Sequence, residues 1–250
     1  MQKAYLNWSG GKDCCLTLHT LLKNPTFTID TLVTSVNSEF NRISMHGVRK
    51  ALLEMQVESL GMKLHTIELP GNVSMTTYDA ILKQHIQTLQ QQGLTHSVFG
   101  DIFLEDLRAY REKQLELVGI KPVFPLWKKD TRKLVREFID LGYKAIVVCT
   151  NAKLLDKTFC GVPINEDFLK RLPEGVDPCG ENGEFHTFVY DGPIFKSPII
   201  FSIGEKVLKS YQATDDNDDD EVCGTSSNDQ NWDNAFWYCD LIPKVDSVNK

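Results

Sequence analysis

A chain of 250 residues with 42% hydrophobic content has enough apolar mass for one large α/β core or two smaller ones. Its net charge of −7 is unevenly spread: residues 213–250 hold ten Asp/Glu against two Lys/Arg, so residues 1–212 carry +1 and present no basic field for nucleic acid. Seven cysteines (14, 15, 149, 160, 179, 223, 239) include no C-x-x-C pair, which weakens metal and redox readings and predicts reduced thiols in a cytoplasmic protein. The chain enters a strand almost at once, which predicts no signal peptide, and no apolar run approaches bilayer length.

In chain order, Ala4 to Trp8 is a short apolar run that predicts a buried strand. Ser9-Gly10-Gly11-Lys12-Asp13 turns the chain, and Leu16, Leu18, Leu21 and Leu22 begin a helix that Asn24-Pro25 stops. Ile29 to Val36 is β-branched enough for a second strand, followed by a polar loop over 35–45. Val48, Leu52, Leu53, Val57 and Leu60 repeat at helical spacing, and Gly61 closes that helix. A strand over Leu64 to Leu69 precedes a helix marked by Tyr78, Ile81, Leu82, Ile86 and Leu89. Ser97 to Gly100 predicts a short strand, Leu104 to Val118 a charged helix, and Val123-Phe124 an edge strand. Thr131 to Leu141 reads as a helix between Asp130 and Gly142, and Ala145 to Cys149 as an apolar strand.

This alternation predicts a mostly parallel sheet with helices on both faces over residues 1–150. Ligands of such sheets lie beyond the carboxyl ends of the strands, which gathers the loops 9–13, 37–47, 70–75 and 101–105 onto one edge. Beyond 151 the alternation fails. A helix over Ile164 to Leu172, a loop-like stretch over 175–197 and two strands broken at Gly204-Glu205 within Ile199 to Tyr211 predict a smaller second unit over 151–212. Residues 213–250 read as an acidic, largely disordered tail whose Trp232, Phe236, Trp237 and Tyr238 have no evident place.

Three stretches carry chemistry. A strand, a glycine turn and a helix N-terminus make an anion site: Gly10 and Gly11 turn backbone N–H groups inward, the helix dipole adds partial positive charge, and Lys12 adds a full one. Gly100-Asp101-Ile102 ends a strand on the ligand edge and leads to Glu105, Arg108, Arg111 and Glu112, which fit either a binding role or ordinary helix ion pairs. On the loop 177–189, Glu181, Glu184 and His186 lie within six residues, and Glu184 and His186 share a face if 184–189 is extended. Such a cluster suits proton transfer, Mg²⁺ binding or an ammonia-like group, or it is a solvated turn before a strand. Zinc is disfavoured, because Cys179 has no partner at ligand spacing.

Ser9-Gly-Gly-Lys-Asp13 after the first strand resembles the pyrophosphate loop of the N-type ATP pyrophosphatases. Together with His46-Gly47, Gly100-Asp101-Ile102, Pro125-Leu126-Trp127, Gly180-Glu-Asn-Gly-Glu-Phe-His-Thr187 and Asp191-Gly-Pro193, it resembles the diphthine–ammonia ligase family over about residues 3–205. The resemblance implies a HUP-type, Rossmann-like α/β domain for ATP with Mg²⁺, and a small C-terminal α+β domain. It implies adenylation of a carboxylate, diphthine on elongation factor 2 or another acceptor in a bacterial member, then amidation by ammonia with release of AMP and pyrophosphate. Ser9, Gly10, Gly11, Lys12, Asp13, Cys14, Gly100 and Asp101 would take the nucleotide, and Glu181, Glu184 and His186 the acceptor side as catalytic residues. Cys14 stands where the family pattern has Ser, and a thiol is the weaker hydrogen-bond donor.

The partners implied are ATP, ammonia or ammonium and a carboxylate acceptor, with neither membrane nor nucleic acid; self-association is compatible with the sequence. Two other functions share the loop. Sulfur transfer to tRNA needs paired or persulfide-forming cysteines and a basic surface, which the body's charge of +1 does not supply. A nucleotide-sensing module without catalysis would bind ATP but have no use for the 181–186 cluster.

Overall fold

The computed structural model describes residues 1–44, 46–71, 74–211 and 234–244. Its first sheet is built on β1 (Gln2–Asn7), which lies between β2 (Phe27–Asn37) and β5 (His96–Val98), parallel to both. β2 also pairs with parallel β4 (Lys63–Leu69) and, through its last two residues, with the short antiparallel β3 (Arg42–Ile43). β6 (Lys121–Val123) extends the sheet beyond β5. Alternation along β1 shows why the sheet is covered twice: Ala4 and Leu6 join one core cluster, Tyr5 the other.

On the first side, α1 (Lys12–Leu22) and α2 (Lys50–Leu60) bury Leu18, Leu21, Leu52, Leu53 and Val57. On the second, α3 (Met75–Gln91) and α4 (Glu105–Glu116) bury Ile86, Leu89 and Leu115 beside Val33 and Ile67. Burial of these side chains at about 25 cal/mol per Å² is what fixes helices whose own propensity is modest. Local chemistry sets the ends. Ser74 caps α3 through Thr77 N, Asp130 caps α5 (Thr131–Asp140) through Lys133 N, and Gly61 closes α2 in the left-handed conformation at φ 68°. The fold class is therefore α/β, with a mostly parallel sheet as the sequence predicts.

The second sheet is antiparallel, in the order β8 (Phe185–Asp191), β7 (Lys144–Asn151), β10 (Asn234–Pro243), β9 (Phe201–Tyr211). α6 (Glu166–Arg171) and a single 3-10 turn at Lys157–Phe159 accompany it. Four expectations need correction here. β7, which chain order assigns to a first unit ending at 150, hydrogen-bonds in the second sheet. The stretch 175–197 is not all loop, because β8 lies within it. β9 is one strand: Gly204 packs against Asp240, and a register shift between Cys239 and Leu241 absorbs the irregularity opposite.

The fourth correction concerns the tail. Asn234–Pro243 is an interior strand that buries Cys239 and Leu241, so the second unit does not end at 212. The rest of the acidic stretch, 212–233 with Trp232, lies outside the described residues, as do 245–250. Helices α1, α2 and α5 share one core cluster with Val147, Phe188 and Leu241, so the two sheets pack around common side chains. Among the described residues no helix is long and apolar enough to cross a membrane.

Candidate active site

The glycine loop sits where a parallel sheet presents ligands, between the carboxyl end of β1 and the N-terminus of α1. Gly10 is required by two facts: its φ is +78°, and a Cβ there would stand 2.7 Å from Gln56 Oε1. Fully buried Gln56 holds the loop from α2, accepting from Trp8 Nε1 at 3.1 Å and donating to the Gly10 and Val189 carbonyls. The Gly10 carbonyl also accepts from Val189 N at 2.9 Å. The loop is thus tied to β8 of the second sheet as firmly as to its own.

Ser9 Oγ accepts from Gly11 N at 3.3 Å, and the Cys14 thiol donates to the Gly11 carbonyl at 3.1 Å. Burial pushes that thiol up to about 11, so it is a neutral donor at neutral pH. Cys14 therefore does the loop's internal bonding. The Gly100 backbone lies so close to the first turn of α1 that a Cβ would meet Cys14 N at 3.0 Å. Beside it, Asp101 pairs with Arg111 at 2.6 Å; burial outweighs that pair and raises the Asp101 carboxyl above its usual range, with Asp13 nearby adding to the rise.

Lys12 is not a solvated side chain; it is only 3% exposed. Its backbone N–H donates to Thr187 Oγ1 at 3.0 Å, and its ammonium binds Asp13 Oδ2 at 2.8 Å and the Cys179 carbonyl. Burial alone would pull its pKa down, but Asp13, Cys179 and Glu181 around it hold it above its ordinary value. The cation of the loop is therefore permanent and desolvated, the condition under which charge acts most strongly on a bound anion.

The second unit supplies the wall over this cation. Glu181 Oε1 accepts from Ile102 N at 2.7 Å and from Phe103 N at 3.3 Å, just past Gly100-Asp101. Burial raises its carboxyl to about 7, with the Asp13 charge adding to the rise and the two amides and Lys12 opposing it. His186 on β8 stacks on His46 with ring centroids 4.6 Å apart, and His46 Nδ1 lies 3.3 Å from the Thr187 carbonyl. Burial and the Lys12 charge lower His186 to about 4.

Glu184 stands apart. Its carboxylate accepts from Asp177 N, Asn182 N and Asn182 Nδ2 at 2.9–3.0 Å, all within its own loop, and it is buried. The expected face shared by Glu184 and His186 is replaced by two separate constellations, His186 with His46 and Glu184 with the loop backbone. Ser9 to Cys14, Gly100, Asp101, Glu181 and His186 are brought together at one edge; Glu184 supports them from behind. Trp127 takes no part in this cluster: it stacks on the Arg108 guanidinium at 4.6 Å. Sequence reasoning missed Gln56, although a polar residue at i+4 from Leu52 on a buried helix face was a visible signal.

The carboxylates around the loop are already engaged: Asp13 with Lys12, Asp101 with Arg111, Glu181 with two amides. Among the described residues no three His, Cys, Asp or Glu side chains are arranged to hold a metal ion. They do not form a resident Mg²⁺ site. A magnesium ion here would arrive on a nucleotide's phosphates.

Comparison with known proteins meets this geometry at both halves. The family model described as the diphthamide synthase N-terminal domain matches residues 1–122, and the diphthamide synthase C-terminal domain model matches residues 130–214. The chain belongs to the diphthamide synthase family. Among relatives, a diphthine–ammonia ligase of Danio rerio is 26% identical over 229 residues, covering 82% of this chain and 88% of that one. One of Homo sapiens is 24% identical over 227 residues, covering 82% and 85%. A third, of Mus musculus, is 33% identical over 122 residues, covering 46% of this chain and 45% of its own. The boundary between the two family domains falls between 122 and 130, ahead of α5 and β7, where the sheets part.

Proposed function

We propose that this diphthamide synthase family member is an ATP-dependent, AMP-forming amide ligase that joins ammonia to a carboxylate, with diphthine as the acceptor its relatives' names point to and elongation factor 2 as the carrier the family resemblance implies. The observation that carries the reading is the burial of one cation, Lys12, between a glycine loop of the first sheet and a carboxylate-bearing wall from the second. In this reading the acceptor carboxylate attacks the α-phosphorus of ATP and pyrophosphate leaves. Ammonia then attacks the acyl carbon, the carbon–oxygen bond to AMP breaks, and the amide forms.

The residues divide this work. The Lys12 ammonium and the N-terminal dipole of α1 carry the charge of the phosphates. Glu181 takes the proton from ammonium, since it sits beside the cation with a carboxyl balanced near neutrality. Gln56 and Thr187 keep the loop in shape, and Glu184 keeps the wall in shape. Magnesium supplies charge on the phosphates when the nucleotide brings it. Sulfur transfer fits poorly: among the described residues the six cysteines are all buried, and Cys14, Cys15, Cys149 and Cys179 are pushed up, away from thiolate.

The test is AMP and pyrophosphate release from ATP-Mg²⁺ and ammonium with diphthine-bearing elongation factor 2 against other carboxylate acceptors. Ammonium-dependent AMP release with an amidated product supports the reading. ATP binding without turnover on any acceptor would make the protein a nucleotide sensor.

A further inference from the structure

The stacked imidazoles of His46 and His186 have no part in the proton and phosphate roles assigned above, yet they lie against the loop. A Cβ on Gly11 would stand 3.1 Å from His46 Cε1 and 3.2 Å from the Thr187 carbonyl, so the His46 ring rests directly on the glycine that caps α1. Because a carbonyl can only accept, the contact between His46 Nδ1 and Thr187 O fixes the tautomer: Nδ1 carries the hydrogen and Nε2 carries a lone pair. Nε2 is bonded to Cε1, the ring atom nearest Gly11.

We propose that the His46–His186 pair is a second phosphate-binding element of this site, which takes up a proton when a polyphosphate enters the glycine loop and then holds it through an imidazolium N–H. The proposal rests on the reading that the loop binds a nucleotide's phosphates, and it moves His186 from the acceptor side to the nucleotide side.

The physical argument is one of charge. Without ligand, burial first, then the His186 ring and the Lys12 ammonium hold His46 neutral against the Thr187 carbonyl, which favours its charged form; burial and the same ammonium hold His186 neutral. The other charged groups facing the pair are mutually spent. From α1 Asp13 pairs with Lys12, and from the covering wall Glu181 is bound to two amides. On the far side Arg42 donates to the Gly47 carbonyl and, with Arg49, pairs with Asp240 of β10. Two or more phosphate charges arriving at Gly11 and Lys12 reverse the local sign. An imidazole beside such an anion has its charged form stabilised by the anion, so its proton affinity rises on binding. Linkage fixes the direction: ligand affinity increases as pH falls through the window between the bound-state and free-state titrations.

Calorimetry of ATP binding in buffers of different ionisation enthalpy counts the protons. The wild type is expected to take up about one proton more per nucleotide near pH 6.5 than the double variant His46→Gln, His186→Asn. The comparison cancels the nucleotide's own protonation. The variant should bind ATP several-fold more weakly near pH 6 and nearly as well as the wild type near pH 8. A second measurement needs no variant: inorganic pyrophosphate added to the wild type should move one or two of the six histidine ring resonances toward imidazolium. Equal proton counts together with unmoved resonances, while ATP still binds, overturn this inference and leave the nucleotide reading standing. A wild type that binds neither ATP nor pyrophosphate overturns both.

Discussion

The backbone N–H of Lys12, the first residue of α1, donates to the hydroxyl of Thr187 on β8 at 3.0 Å, across 175 residues of chain. The same lysine's ammonium reaches the Cys179 carbonyl, and Val189 N reaches the Gly10 carbonyl at 2.9 Å. The glycine loop is thus completed by the second sheet, and neither half makes the site alone.

Removing the cation tests the centre of that arrangement. Lys12→Met keeps the volume and deletes the charge, so ATP affinity is expected to fall about tenfold to a hundredfold, the worth of a charge-assisted contact at about 1.5–3 kcal/mol. Stability should fall as well, because Asp13 keeps its carboxylate beside a buried apolar chain. Adding Asp13→Asn should return part of the melting temperature and none of the affinity. Calorimetric titration and thermal melts separate the two. An unchanged dissociation constant for ATP-Mg²⁺ removes Lys12 from the phosphate site.

Glu181 makes a prediction about pH. Burial raises its carboxyl to about 7, and the base form is the ionised one, so ammonium-dependent turnover should rise with pH through about 7 and level above it. Glu181→Gln keeps an acceptor for Ile102 N and Phe103 N and should lose that inflection along with most of the rate. The stability sign is independent. The native carboxyl keeps its proton up to about 7 while an unfolded one loses it near 4.5, so this group's contribution is full below 4.5 and is lost as pH rises through 7. The variant's stability should therefore depend less on pH across that window. A wild-type pH–rate profile in Glu181→Gln removes it as the base.

The loop Ser9–Asp13 was legible in the sequence because its chemistry is local: a strand, two glycines, a lysine and a helix start occupy ten residues. Its cover was legible as residues and not as an arrangement. That Lys12 is closed in by Cys179 and Thr187, that His186 meets His46, and that Glu184 turns back on its own loop are pairings set by β7 and β8 meeting antiparallel. β7 misled for a physical reason: an all-apolar run after a helix fits a parallel strand and an interior antiparallel strand equally well. β10 carried a usable signal. Ala235, Trp237, Cys239 and Leu241 alternate with Phe236, Tyr238, Asp240 and Ile242, and the buried Cys239 and Leu241 belong to one set. The acidic run before them hid it.

That strand yields a prediction opposite to what its composition suggests. β10 lies between β7 and β9, and Asp240 pairs with Arg42 at 3.0 Å and Arg49 at 2.6 Å beside the His46 loop. Deleting 234–250 strips hydrogen-bond partners from both neighbours and exposes the core under Leu241. The melting temperature should fall by well over roughly 4 °C. Leu241→Ala alone should cost about 2–5 kcal/mol. A truncated protein that melts with the full chain would show that β10 adds nothing to the second unit.

Glu184 separates support from chemistry. Its carboxylate accepts from Asp177 N at 3.0 Å, Asn182 N at 2.9 Å and Asn182 Nδ2 at 3.0 Å, which closes the loop that carries Glu181 and the Cys179 carbonyl. Three hydrogen bonds to one buried group make it a fixed point of the wall, and nothing leaves an oxygen free to turn toward substrate. Glu184→Ala strands those donors and should cost about 1–3 kcal/mol, with a visible drop in melting temperature. Glu184→Gln keeps the shape and one carbonyl acceptor but places an amide where Asn182 N donates, so its loss should be intermediate. Turnover should follow stability in this series: both variants lose activity through a displaced Glu181, and the pH inflection near 7 should persist in whatever activity remains. ATP affinity should change little in Glu184→Gln, because Lys12 keeps Asp13 and the first turn of α1. Near wild-type melting combined with a hundredfold or greater loss of amide formation in Glu184→Gln would reverse the assignment, making Glu184 the proton acceptor and Glu181 its support.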